Sequence, residues 1–313
     1  MKKNKLHDYL HTGGEHTLSI VVQGVVEAQT QAAKDCVTIS TTFGDEIKSI
    51  VKINPNKYKG DLFRFSDFCQ VFEKILSECG ITEYRFIRTD FRLDNYAPRQ
   101  YEMYSKLNRY LIAALFVAYG VRNRYRSDDL LTLDQVTQVI KCRDFEVENY
   151  DRAAKNRLTE NHSEPAQYRF EIRTMASGWR KIYSKAADTA SNMDLFKSDL
   201  LEIWFERFDA ILPNLDKVQD AYNTTLEQKW HKSETAETKQ YRSLTDFVMQ
   251  NQGVIFSKKQ LIDFYRRVDK SGADPVQKAT NYKKRYGIEF FSKADIRTAI
   301  QSLKRAIIHF CER

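Results

Sequence analysis

Residues 84–95 read YRFIRTDFRLDN, and their alternation decides the fold class. Arg88, Asp90, Arg92 and Asp94 recur at period two, with Phe91 and Leu93 between them. A strand would put the charges on one face and the apolar groups on the other. Two later stretches repeat the device. Residues 144–151 (DFEVENYD) offer Glu146, Glu148 and Tyr150, and residues 167–174 (QYRFEIRT) offer Arg169, Glu171 and Arg173. If these three strands are neighbours, carboxylates and arginines pave one sheet face. Such a face is either solvated and laced with cross-strand ion pairs, or it takes a partner. Its carboxylates suit a hard cation such as Mg²⁺ or Mn²⁺, and its arginines suit phosphate.

Working outward, β-branched runs at 17–26 (TLSIVVQGVV), 35–41 and 46–54 read as further strands. The histidines of HTGGEH, His11 and His16, precede the first of these and flank glycines, which predicts a loop. Apolar spacing of three and four predicts helices over 65–79 and 101–119. Strands and helices mixed in this order predict an α+β fold with a mainly antiparallel sheet and flanking helices.

After Trp179 the pattern is helical. It predicts helices over 194–212, stopped by Pro213, and over 215–230. The polar run HKSETAETKQ then reads as a linker. Amphipathic pieces follow at 243–251, 257–268 and 292–311, the last two with a serine placed to cap the helix. The reading divides the chain into an α+β domain (1–180), a helical connector (181–231) and a basic helical domain (232–313). Short helices with basic faces suit a helix-turn-helix or winged-helix module, or alternatively a dimerisation bundle.

Charge is distributed unevenly. Residues 232–313 hold 17 Lys/Arg against nine Asp/Glu, the entire net charge of +8. A basic block on a neutral body points to a polyanion, and DNA is the expected partner. Candidate DNA contacts there are Lys258, Lys259, Arg266, Arg267, Lys283, Lys284 and Arg285. The five cysteines are scattered and lack a CxxC pair, which favours reduced thiols and a cytoplasmic setting. No apolar run reaches the ~20 residues of a membrane span. Nucleotide-loop, dinucleotide, zinc-protease and hydrolase motifs are absent.

The run RTDFRLDN, then VENYDRAAKN, then QYRFEIR resembles the rolling-circle replication initiators of Gram-positive plasmids and the related filamentous-phage type. The resemblance covers roughly residues 84–175, about a third of the chain. It implies a central antiparallel sheet and a divalent metal near Asp90 or Asp94 and Glu171, while Arg88, Arg92, Arg169 and Arg173 of the charged face are candidate DNA contacts by their fit to phosphate. It also implies endonuclease cleavage of one DNA strand by a tyrosine, for which Tyr150, Tyr125 and Tyr119 are the candidates. The chain departs from the family in having no His-hydrophobe-His pair, and the glutamate expected after Tyr150-Asp151 is not matched. Two readings stand at this point. The chain is a nicking initiator of a plasmid, phage or mobile element, using Mg²⁺ or Mn²⁺, or a non-catalytic sequence-specific DNA-binding initiator or regulator. Further partners expected are host replication proteins and a second copy of the chain. A third reading is an interaction protein whose basic tail binds an acidic partner.

Overall fold

A computed structural model describes residues 6, 9–95, 101–119, 137–151, 168–236 and 240–313. The protein is α+β, and two compact units interleave along the chain. One comprises residues 1–97, 139–207 and 301–313; the other comprises residues 98–138 and 208–300.

The first unit is built on seven strands: β1 (Thr12–Gln23), β2 (Val37–Thr42), β3 (Lys48–Ile53), β4 (Arg85–Asn95), β5 (Thr137–Lys141), β6 (Phe145–Asp151) and β7 (Tyr168–Thr174). Their order across the sheet is β2-β3-β1-β4-β7-β6-β5. The pairings from β2 through to β6 are antiparallel. The three strands with charged alternation are therefore neighbours, with β7 between β4 and β6.

One face of the sheet is apolar. Leu18 and Ile20 of β1, Phe91 and Leu93 of β4, and Phe170 and Ile172 of β7 are all buried. Ile20 stands opposite Phe86 and Leu18 opposite Thr89, so a register slip near Ile87 brings Phe86 onto this side. The helix Phe65–Glu78 covers it with Phe68, Val71, Phe72, Ile75 and Leu76, the spacing expected of a buried helical stripe. Phe86 packs on Trp179 of the helix Ala176–Lys185 with ring centres 4.9 Å apart, and Phe91 meets Phe310 at 5.0 Å. Aromatic pairs at these separations add to simple area burial.

The first strand begins earlier than its composition predicts. Gly13 and Gly14 lie within β1 and not in a loop. A Cβ on Gly13 would sit 2.6 Å from the Ala306 carbonyl oxygen, and one on Gly14 would sit 2.6 Å from that of Leu62. Backbone approaches so closely on both faces that only glycine fits, which a turn-based reading of Gly-Gly does not anticipate.

The described elements that lie wholly within the second unit are helical. Tyr110 of the helix Tyr101–Tyr119 stacks on Phe256 at 4.4 Å, and Tyr222 of the helix Ile211–Glu234 meets the same ring at 5.1 Å. Pro213 does not stop a helix. It lies in the first turn of Ile211–Glu234, where no intrahelical N–H donor is required. The preceding stretch is broken instead by a π-helical segment, Asp199–Ile203. Ser257 caps Lys258–Val268, and Ser292 accepts from Asp295 at the start of Lys293–Cys311. A helix over Pro275–Tyr286 was not predicted, although Asp274 caps it with Pro275 at its first position. All five cysteines are free. Among the described residues no helix is long and apolar enough to cross a membrane.

Candidate metal centre

The opposite face of the sheet is charged, and its side chains fall into rows. Asp90 faces Arg173, which faces Glu146. Arg92 faces Glu171, which faces Glu148. Asp94 faces Arg169, which faces Tyr150. A solvated face is not what forms. Asp90, Arg92, Asp94, Arg169 and Glu171 are each at most 4% exposed. Charges removed from water cost several kcal/mol each unless paired, so every partner matters.

Asp94 and Arg169 form a closed pair, with the guanidinium donating twice to the carboxylate at 2.7 and 2.8 Å. Arg92 donates to Asp61 and lies 3.8 Å from Asp94. The Phe63 ring stacks over its guanidinium at 5.2 Å. Asp94 is thus spent on an arginine and stands apart from the ligand group described next.

That group is created by an irregularity in β1. Glu15 stands opposite Phe91 and Thr17 opposite Asp90, leaving His16 as the extra residue of a bulge. Bulges re-aim side chains, and this one brings His16 Nδ1 to 2.7 Å from Glu171 Oε1. The Asn56 amide holds the bulge by donating to the carbonyls of Glu15 and His16 at 2.9 and 3.2 Å. His16, Asp90 and Glu171 each offer a ligand atom, and these atoms lie within 4.8 Å of one another.

The chemistry of this group fits a divalent cation. Glu171 Oε1 is buried without an aligned hydrogen bond, and so are both carboxylate oxygens of Glu15. Arg88 donates to Asp90 at 2.7 and 2.8 Å. Arg173 lies against Glu148, Glu171 at 2.9 Å, Glu146 at 3.5 Å and Asp90 at 3.6 Å. Asp90, Glu146, Glu148 and Glu171 thus share two arginines, and Glu15 adds a fifth carboxyl group without an aligned hydrogen bond, leaving an excess of negative charge. Burial raises the Asp90 carboxyl and outweighs its pairing with Arg88. Burial, then Asp90 and Glu171, raise Glu15 well above the usual carboxylate range. Burial would also raise Glu171, but the His16 ring and the charges of Arg173 and Arg169 prevail and hold it at about 2. One carboxylate held ionised, two pushed toward protonation and an imidazole at hand form a site where a cation displaces protons. One nitrogen and two oxygen donors suit Mn²⁺ better than Mg²⁺, which favours oxygen alone.

The remaining predicted residues are distributed as follows. Tyr150 is buried on the charged face, diagonal to Glu171 across the β6–β7 pair. Diagonal neighbours stand roughly 7–8 Å apart, within reach of an aromatic side chain. Tyr119 lies in the helical unit at the end of Tyr101–Tyr119, and Tyr125 lies outside the described residues. Lys259 pairs with Asp216 at 3.0 Å and Arg266 with Asp263 at 2.9 Å. Arg267 is held by Asp220 and Glu227. Lys258 is half-buried, and Lys283, Lys284 and Arg285 are exposed. Sequence reasoning missed His16 and Glu15. The signal was TGGEH directly before a β-branched run, which marks a strand start carrying an irregularity as well as it marks a loop. His11 takes no part: it is half-buried beside Ser302, and burial lowers its ring to about 3, so it is neutral.

Comparison with family models, with curated proteins and with solved structures finds no match. The functional reading therefore rests on the site.

Proposed function

We propose that this protein is a DNA-binding replication initiator of a plasmid, phage or mobile element that cleaves one strand of its origin. The observation that carries the reading is the convergence of His16, Asp90 and Glu171 on a buried sheet face with Tyr150 diagonal to it. A divalent ion, Mn²⁺ or Mg²⁺, held by these three residues would offset the charge that develops on the phosphate oxygens. The Tyr150 hydroxyl oxygen forms the new bond to phosphorus as the bond from phosphorus to the sugar oxygen breaks. The tyrosine proton is given up, and the leaving sugar oxygen takes one. Arg88 and Arg173 hold the carboxylates in place through their ion pairs, and Arg88, partly exposed, is placed to meet a phosphate. Lys258, Lys259, Arg266, Arg267 and the 283–285 triplet would contact the duplex from the helices Lys258–Val268 and Pro275–Tyr286, in a helix-turn-helix arrangement. Their exposed ion pairs are worth under about 1 kcal/mol and exchange readily for phosphate.

A second reading, a DNA-binding initiator or regulator without nicking activity, is favoured by the burial of Tyr150, 4% exposed. One experiment separates them. Supercoiled DNA carrying the neighbouring origin is incubated with the protein with and without Mn²⁺, and nicking and covalent linkage are scored. The nicking reading expects a protein–DNA adduct that needs Mn²⁺ and is lost in Tyr150→Phe and in His16→Ala. Binding without any adduct supports the second reading, and an adduct that survives Tyr150→Phe removes Tyr150 from the mechanism.

A further inference from the structure

The charged face continues past β1 onto β3. Lys52 stands opposite Ser19, and Ser19 stands opposite Arg88, so Lys52 shares the face of Arg88 and Asp90. Here a recess of about 340 Å³ opens, lined by Thr17, Lys34, Asp35, Lys52, Asn54 and Lys57 among others. Thr17 is the residue after the His16 bulge and stands opposite Asp90, so one wall of the recess adjoins the metal ligands.

Its lining is unusual for a surface of this unit. Lys34, Lys52 and Lys57 are exposed and, among the described residues, unpaired with any carboxylate. Asp35 is the single acid in the lining, and its carboxylate is engaged by the Gln31 amide at 2.8 Å. Three ammonium groups around one recess repel each other and favour an anion between them. Asn54 adds a second requirement. Its backbone N–H donates to the Cys36 carbonyl at 2.8 Å, which pins the residue, while its side-chain oxygen is buried with no partner. A backbone phosphodiester would satisfy the lysines but has no proton to donate to this acceptor. A nucleotide satisfies both, with phosphate oxygens for the lysines and a base N–H for Asn54.

We propose that this recess holds a nucleotide of the single-stranded substrate beside the scissile phosphate, with its phosphate against Lys34, Lys52 and Lys57. The assignment rests on the proposed strand-cleaving function and names the subsite that registers the strand on the metal centre. Phosphate contacts of this kind position a strand without reading its sequence.

The test measures binding of a short fluorescent single-stranded oligonucleotide by anisotropy over a range of NaCl concentrations. It compares the full chain with the variant Lys34→Gln/Lys52→Gln/Lys57→Gln and with Asn54→Ala, and Mn²⁺ affinity is followed in parallel by electron paramagnetic resonance. Each single-strand phosphate neutralised contributes about 0.7 to the slope of log K against log salt, so losing the one phosphate held by the three lysines should flatten it by about 0.7. Asn54→Ala should weaken binding with the slope unchanged, and Mn²⁺ affinity should stay as it was in both. An unchanged slope in the triple variant, with parent protein that binds and nicks, overturns the recess and leaves the initiator reading standing. A flattened slope on duplex alone overturns the single-strand assignment. A parent protein that binds no oligonucleotide at any salt overturns both.

Discussion

The two faces of β4 are buried to the same degree and for opposite reasons. Phe91 and Leu93 gain from leaving water, at roughly 1.5–3 kcal/mol for each large apolar side chain. One residue along in each case, Asp90, Arg92 and Asp94 lose hydration that their pairing only partly restores. A fold needing only stability would cover both faces with the first kind of side chain. The charged face costs stability and holds ligand atoms within 4.8 Å of one another. Burial alone therefore does not identify a core, and the chemistry of what is buried separates support from site.

The largest effect expected from that contrast is at the Asp94–Arg169 pair. Arg169→Met leaves the Asp94 carboxylate buried without its bidentate donor and should cost about 3–5 kcal/mol in urea unfolding. The double change Asp94→Leu/Arg169→Met should recover most of that loss. A double variant no more stable than the single one would mean that the pair supplies net stabilisation, against the view taken of this face.

A smaller effect is expected at Asp199, a buried carboxylate on the apolar side. It accepts from Thr174 at 2.6 Å, and burial raises it to about 6 despite the charge of Arg207. The sign follows from linkage. With its folded value above the unfolded one, near 3.8, the folded state favours the protonated form. Ionisation therefore destabilises as pH rises through 6, by about 3 kcal/mol at most, since each unit is worth about 1.4. Asp199→Asn should raise the melting temperature at pH 8, with the advantage shrinking steadily between pH 6 and pH 4. Equal stabilisation at both pH values would show that ionisation is not the cause.

The smallest effect belongs to the helical unit, where Lys259 and Arg267 are exposed. Lys259→Gln/Arg267→Gln breaks pairs with Asp216, Asp220 and Glu227 and should change stability by less than about 1 kcal/mol. DNA affinity should nevertheless fall, with a shallower salt dependence. A large loss of stability in that variant would erase the distinction between buried and exposed charge.

Much of the strand set is legible from alternation alone, because period two is a local property. RTDFRLDN, FEVENYD and YRFEIRT appear within β4, β6 and β7, with β6 and β7 starting one residue inside their predicted bounds. Helix caps at Ser257 and Ser292 are equally local. Pro213 misleads because a proline that ends one helix and one that opens the next have the same neighbours. Composition along the chain also cannot show that residues 301–313 join the sheet-bearing unit with residues 1–97.

The candidate site divides in the same way. Asp90 and Glu171 follow from the pattern of their own strands, since a charged face announces itself at every second residue. What the sequence by itself determined is which residues share a face and that the face must find partners. Only the tertiary structure decided which partners. It gave Asp94 to Arg169, placed Arg173 among four carboxylates, and used a one-residue bulge to swing His16 onto Glu171. Pairing across strands depends on register, and register depends on a slip between Glu15 and Thr17 relative to a strand some 75 residues away. No local rule carries that information, because the energy that sets it comes from contacts between segments far apart in the chain.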